Sequence, residues 1–496
     1  MTASMAGAAL GAIAALSTAQ DGRSPYGPVD EASEAIRRVR AAMTHRPDGS
    51  HHLLLTSLRQ LRDDSLRPLF ERLVQTDHWT LQLDGILGLA EIGEGRVDPM
   101  LLQRITDPAE RAAAIRAAIS LDMVRVSEAE EMLRWSDLPT PEQVALMSEL
   151  HRRGGDVDPA RLATIAASAP PEVAAEASVL LAELGDAAAI DLIAERLRRL
   201  AGNARESAIV AFARAAERHR CKDAVAPLAS FASAPDATRS ERLACLAALL
   251  ATDLDVGLEL WTGLFESTSS NASRLRTALL LLASEQPVPV ETLALLKGRG
   301  EVLEALAAAA TAIATGDDRV EAFERILSGG HRLSVAWAMT ALLEQPPEVA
   351  SPIYVSMLES LIEGRLAAPV AAIEAASRLA AIDPDAMAPI LEAAAERDEA
   401  ILEALLVGLL SSEARDAAGR LARDTIGTGG RRCDSLAILA VARTGQTLST
   451  SDLEMLAVAA AGGGRLDPSL EVQAAWLYLD RVDRIFDALA TAAETP

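Results

Sequence analysis

The 496 residues are half hydrophobic yet only 3% aromatic, so the apolar mass is mainly alanine and leucine, the strongest helix formers; that mixture suits closely stacked helices far better than a β-sandwich or barrel. The formal charge is −24, from 47 Lys and Arg against 71 Asp and Glu, which repels phosphate backbones and argues against nucleic acid as a partner. Cys221, Cys245 and Cys433 are odd in number and widely spaced, which excludes a disulfide framework and leaves buried free thiols as their reading.

At the N-terminus, Met5 to Leu16 is a short apolar run followed by Ser17-Thr18-Ala19. Residues 1–19 resemble a secretory signal peptide, although Met1 to Ser4 carry no Lys or Arg. A real signal implies an exported or periplasmic protein, and its absence a cytoplasmic one. Residues 20–28, with two prolines and two glycines, read as a linker, and 29–62 as N-terminal helices or a cap. No stretch reaches the roughly 18 uninterrupted apolar residues of a membrane span.

From 63 to 480 one pattern recurs: apolar residues at i, i+3, i+4 and i+7, then a polar or glycine stop. Residues 83–94, 112–122, 174–186, 241–253, 333–345 and 371–383 are clear copies. The segments end near Ile92, Leu121, Arg152, Leu184, Ala216, Leu250, Ala283, Ala314, Leu343, Ile382, Leu410, Arg443 and Leu479, about 32 residues apart on average. Helix starts mark the stretches between them: Thr140-Pro141-Glu142, Asp158-Pro159, Pro170-Pro171-Glu172, Pro346-Pro347-Glu348 and Asp383-Pro384-Asp385 supply N-cap and first-turn residues. The spacing therefore predicts an all-α α-solenoid of about thirteen helix-turn-helix repeats, neither helix of which buries its apolar face without the next unit. A C-terminal capping helix is expected over 481–496, polar on its outer face at Arg481, Asp483, Arg484, Asp487 and Glu494.

These units resemble HEAT repeats. Pro68-Leu69, Pro227-Leu228, Pro352-Ile353 and Pro389-Ile390 match the proline of that family's first helix, where it should bend the helix. Arg111, Arg205, Arg242, Arg276, Arg332 and Arg432 stand near the start of second helices, as the family's arginine does. The sequence departs from the pattern at Leu81 and Gln82, and Glu172 to Gly185 lacks the arginine. The resemblance implies architecture and little about function.

Candidate chemistry is sparse. His51-His52, with His45 before and Asp63-Asp64 after, is the densest set of possible ligands, but it lacks H-E-x-x-H spacing and reads as a solvated helix start. The pairs Asp156/Asp158, Asp253/Asp255 and Asp383/Asp385 lack a calcium loop and read as N-caps. Gly427-Thr428-Gly429-Gly430 before Arg431-Arg432 lacks a P-loop pattern and reads as an inter-helix loop, as does Gly462-Gly463-Gly464. The arginine series fits either an anion-binding stripe or, in the favoured reading, a ladder in which each arginine ties neighbouring repeats through a loop aspartate. Trp79, Trp135, Trp261, Trp337 and Trp476 read as core. No catalytic, cofactor-binding or metal residue is assigned and no cofactor is expected. The leading expectation is a non-enzymatic scaffold with a protein or peptide in the groove lined by second helices. The alternatives are a HEAT-like lyase or isomerase acting on a small molecule or chromophore, and a structural component of an exported bacterial assembly.

Overall fold

The computed structural model describes residues 28–482, apart from 285, 317–318, 330 and 366–368. The signal peptide read at 1–19, the linker up to residue 27 and the capping helix beyond residue 482 lie outside the described residues. All regular structure among the described residues is helical, with 28 α-helices and no strand. No helix among them is long and apolar enough to cross a membrane.

The thirteen second helices end within three residues of the positions read from the sequence. Ile92, Arg152, Leu343 and Ile382 are terminal residues, and the largest displacement is His219 against the expected Ala216. The capping chemistry explains this accuracy. Asp107, Asp158, Asp253, Asp383 and Asp398 accept hydrogen bonds from free backbone N–H groups at the helix starts that follow them, and Thr238 with Glu241 and Ser449 with Asp452 form capping boxes, so the boundaries are set locally. The prolines divide in two. Pro352 and Pro389 lie inside helices Pro347–Ile362 and Pro384–Arg397 as expected. Pro68 and Pro227 instead stand in the first turn of helices Arg67–Leu73 and Val225–Ser233, each entered through a short 3₁₀ turn, where the missing N–H costs nothing and no bend is needed.

Two compact units divide the chain at 105/106 and 337/338, the outer unit combining both ends of the sequence. In the unit formed by 106–337, second helices Pro108–Ser120, Thr140–Arg152, Pro171–Glu183, Gly202–His219, Arg239–Thr252, Asn271–Leu282 and Glu301–Thr315 pack each on the next in one row. Alanine makes that possible: Ala174, Ala175, Ala208, Ala213, Ala215, Ala216 and Ala248 are fully or almost fully buried there, and small side chains let backbones approach closely. Phe212 fills the space left between layers, edge-on to Phe231 with ring centroids 6.2 Å apart.

In the other unit the row runs Pro369–Ile382, Glu399–Ser411, Arg431–Ala442, Pro468–Arg481, and then passes to Ser50–Arg59 and Trp79–Ile92 at the far end of the sequence. Helix Pro28–Met43 packs on both Thr450–Ala460 and Pro468–Arg481, so the pair 28–59 takes the place of the repeat that follows 450–481. Polar bonds stitch this junction. Ser57 Oγ donates to the Ser469 carbonyl at 2.6 Å, Gln473 Nε2 donates to the Ser57 carbonyl at 2.7 Å, and Trp476 Nε1 donates to Ser65 Oγ at 3.0 Å. Arg38 pairs with Glu471 beside Gly462, where φ is +79° and a Cβ would push the Arg38 guanidinium aside.

Candidate functional site

The densest group of reactive side chains lies on helices Ser50–Arg59 and Trp79–Ile92 and on the short segments that precede them. On Ser50–Arg59, His52 and Arg59 are seven residues apart and share a face; on Trp79–Ile92, so do Thr80, Asp84 and Glu91. The adjoining face of Trp79–Ile92 carries Gly85 and Gly88, each too close to Phe70 for a Cβ, so helix Arg67–Leu73 packs flush against it.

Four of the seven histidines gather here. The rings of His45 and His78 stack with centroids 4.4 Å apart and planes 7° from parallel, His45 and His51 are 5.1 Å apart, and His51 and His52 are 4.0 Å apart. The reading of His51-His52 as a solvated helix start fails for His51, which is 1% exposed. The turn at Gly49, with φ of +72°, folds residues 45–48 back over the helix, and the Arg46 N–H donates to His51 Nδ1 at 3.2 Å. That bond fixes the tautomer of His51: its Nε2–H donates to Thr80 Oγ1 at 3.3 Å, and the same hydroxyl lies 3.4 Å from His45 Nδ1. Burial, together with the neighbouring imidazoles, pushes the His51 pKa down to about 4, so His51 is neutral at pH 7.

His52 has a different partner. Its Nδ1 lies 2.6 Å from Asp84 Oδ2, and Arg59 Nη1 lies 3.4 Å from the other carboxylate oxygen. Arg59 also holds Glu91 through two bonds, of 3.0 and 2.6 Å. Burial raises the Asp84 pKa against the opposing pull of His52 and Arg59. A carboxylate that takes up Nδ1 leaves Nε2 as the nitrogen open to a further partner, the arrangement used both to orient a proton carrier and to present a metal ligand. Asp63 and Asp64 do not join the cluster; Asp63 caps the next 3₁₀ turn and Asp64 pairs with Arg67. Asp84 and Arg59 were not singled out in the sequence. The signal available was a carboxylate interrupting the apolar run 83–94 at the spacing of Thr80 and Glu91.

The arginine series splits. Arg111 pairs with Asp137, Arg205 with Asp236, and Arg432 with Glu403 at 2.7 Å, each across one repeat. Arg242 donates to its own preceding loop at the Ala234 carbonyl, and Arg276 and Arg332 are exposed. Other arginines extend the ladder through carbonyls at the end of another helix: Arg161 to Leu133 at 2.9 Å, Arg196 to Ala169 at 2.7 Å, Arg443 to Leu410, and Arg415 to Gln60 at 2.9 Å and Leu61 at 2.7 Å. Guanidinium at a helix C-terminus meets both unpaired carbonyls and the negative end of the dipole.

The glycine loops hold no free anion cradle. The Gly427 N–H donates to Asp434 Oδ1 at 2.8 Å, and Gly430 abuts the Glu399 carboxylate. All three cysteines are buried, their thiols pushed up to about 11, 12 and 11 for Cys221, Cys245 and Cys433 chiefly by burial. Trp261 and Trp476 are fully buried, and Trp135 lies half-buried under the Arg111 guanidinium. In the 106–337 unit an open cleft is lined by Ala308, Ala312 and Ala322, by Thr311 and Thr315, and by the charged Lys297, Glu304, Glu321 and Arg325. No family model, curated protein or solved structure matches this chain.

Proposed function

We propose that the chain is a non-enzymatic interaction scaffold, a HEAT-like α-solenoid that holds a protein or peptide partner against its repeats. The observation that carries this reading is the cleft over Ala308, Ala312 and Ala322. It is open and lined by small side chains, three alanines with Thr311 and Thr315, beside Lys297, Glu304 and the Glu321–Arg325 pair. Such a surface suits an extended or helical segment, with apolar contacts below and charges fixing direction. Second helices packed row-wise and tied by arginines form a rigid support, which lowers the ordering cost of binding.

Selection of peptides from a random display library against the full chain tests it. Peptides that bind the chain over an unrelated helical protein are expected, with affinity lost in Ala308→Arg and kept in a substitution outside the cleft such as Leu53→Ala. A selection that returns no specific peptide, or peptides indifferent to Ala308→Arg, overturns the cleft as the binding surface.

A further inference from the structure

We propose that His51, His52 and Asp84 form a binding site for a zinc-class divalent cation. One donor atom from each residue lies within 4.8 Å of those of the other two, while zinc bonds of about 2.0–2.2 Å place tetrahedral donors somewhat closer; side-chain rotation of an ångström or so closes the set. Two imidazoles and a carboxylate are the donors that zinc, cobalt and nickel prefer and magnesium does not. Three protein ligands leave a position open, as in a site that takes a further ligand from solvent or a partner.

The surroundings fit that role. A ligating carboxylate is normally held by a hydrogen bond at its other oxygen, and a ligating imidazole by a bond at its other nitrogen. Arg59 already holds Asp84 Oδ1, Thr80 and the Arg46 N–H engage the two nitrogens of His51 at 3.3 and 3.2 Å, and Arg59 is itself fixed by Glu91. Coordination exchanges the His52–Asp84 hydrogen bond for metal bonds; on His51 the lone pair sits on Nδ1, so coordination there displaces the Arg46 N–H and keeps the Nε2–H bond to Thr80 as the support. His52 is partly exposed while His51 and Asp84 are buried, which gives the ion a path in and a dry inner wall. A metal also supplies a reason for four histidines to converge in a chain that has seven. Close imidazoles oppose one another's protonation and gain little from contact alone. The scaffold reading does not depend on this site, and the two stand or fall separately.

Calorimetric titration of the chelator-stripped full chain with Zn(II), with Mg(II) as control, and visible spectroscopy with Co(II) decide the matter. One equivalent of Zn(II) with no Mg(II) binding is expected, together with the intense visible bands of four- or five-coordinate Co(II). His52→Gln and Asp84→Asn should each weaken Zn(II) at least about tenfold and abolish those bands, while His331→Asn leaves both unchanged. His52 is partly exposed, so its variant keeps the fold and the circular dichroism of the parent. A pale six-coordinate Co(II) spectrum, or Zn(II) affinity indifferent to His52→Gln, overturns the proposal.

Discussion

Helices Gly202–His219 and Arg239–Thr252 meet across roughly one repeat of sequence, whereas Ser50–Arg59 and Pro468–Arg481 meet through residues 412 and 416 apart. The first contact is chiefly apolar, with Ala208, Phe212, Ala215 and Ala216 against Cys245, Ala248 and Leu249. The second adds the Ser57, Gln473 and Trp476 hydrogen bonds and the Arg38–Glu471 pair. Bringing chain ends together costs about 0.6 kcal/mol for each doubling of separation, so the distant junction carries about 2 kcal/mol more closure entropy than a neighbouring one. It must also select one repeat surface among many similar alanine-rich ones. Apolar contact is indifferent to that choice, and directional bonds to buried groups are not.

The largest test of the contrast is a pair of truncations. Trp476→Ala and Phe212→Ala each empty a fully buried aromatic site and should cost about 3–5 kcal/mol. Hydrogen exchange separates them. Trp476→Ala should raise exchange in 50–59 and 79–92 as well as in 468–481, and Phe212→Ala only in the 106–337 unit. Equal effects of Trp476→Ala on both units would erase the distinction. Gln473→Ala comes next, at about 1–3 kcal/mol by denaturant unfolding, because it strips a partner from Ser57 and from Arg443, whose pKa burial depresses to about 10. Gly462→Ala should cost about 1 kcal/mol from its positive φ, and more where Arg38 is displaced from Glu471; Arg38→Ala made in addition should recover that excess.

A pH series adds a smaller, one-sided effect. His219 donates or accepts at Ser148 Oγ, 2.8 Å away, near Arg218 and His151. Burial, aided by the Arg218 guanidinium and the His151 ring, lowers its pKa to about 4. Between about pH 6.5 and 4 the unfolded chain therefore binds the proton that the folded chain refuses, so stability is complete above 6.5 and falls as pH drops through that window. Thermal unfolding of the 106–337 unit should follow this slope, and His219→Gln should flatten it. A slope unchanged by the substitution removes His219 as its source. Least disruptive is alkylation at pH 8: the native chain should leave Cys221, Cys245 and Cys433 unmodified, and denaturant should release all three.

Local signals carried most of what was legible. Asp158, Asp253 and Asp383 were read as caps because a carboxylate before a helix has one cheap use, and each accepts backbone N–H bonds there. Pro68 and Pro227 misled because a proline-leucine pair looks alike inside a helix and in its first turn; only the preceding 3₁₀ turns separate the cases. His51 was misplaced for a related reason. Its position two residues after Gly49 signals a helix start, but its burial comes from a loop and from Thr80, 29 residues away.

What the sequence by itself determined is the set of helices, their ends and their caps, since propensity, apolar period and N–H satisfaction act within a few residues. Tertiary structure alone decided that 28–59 follows 450–481 in space, that Arg415 reaches Gln60 and Leu61, and that Asp84 faces His52. Helices with interchangeable alanine-rich faces encode stacking without encoding which face meets which. That choice rests on a few polar side chains whose partners lie one repeat or several hundred residues away, beyond the reach of any local pattern.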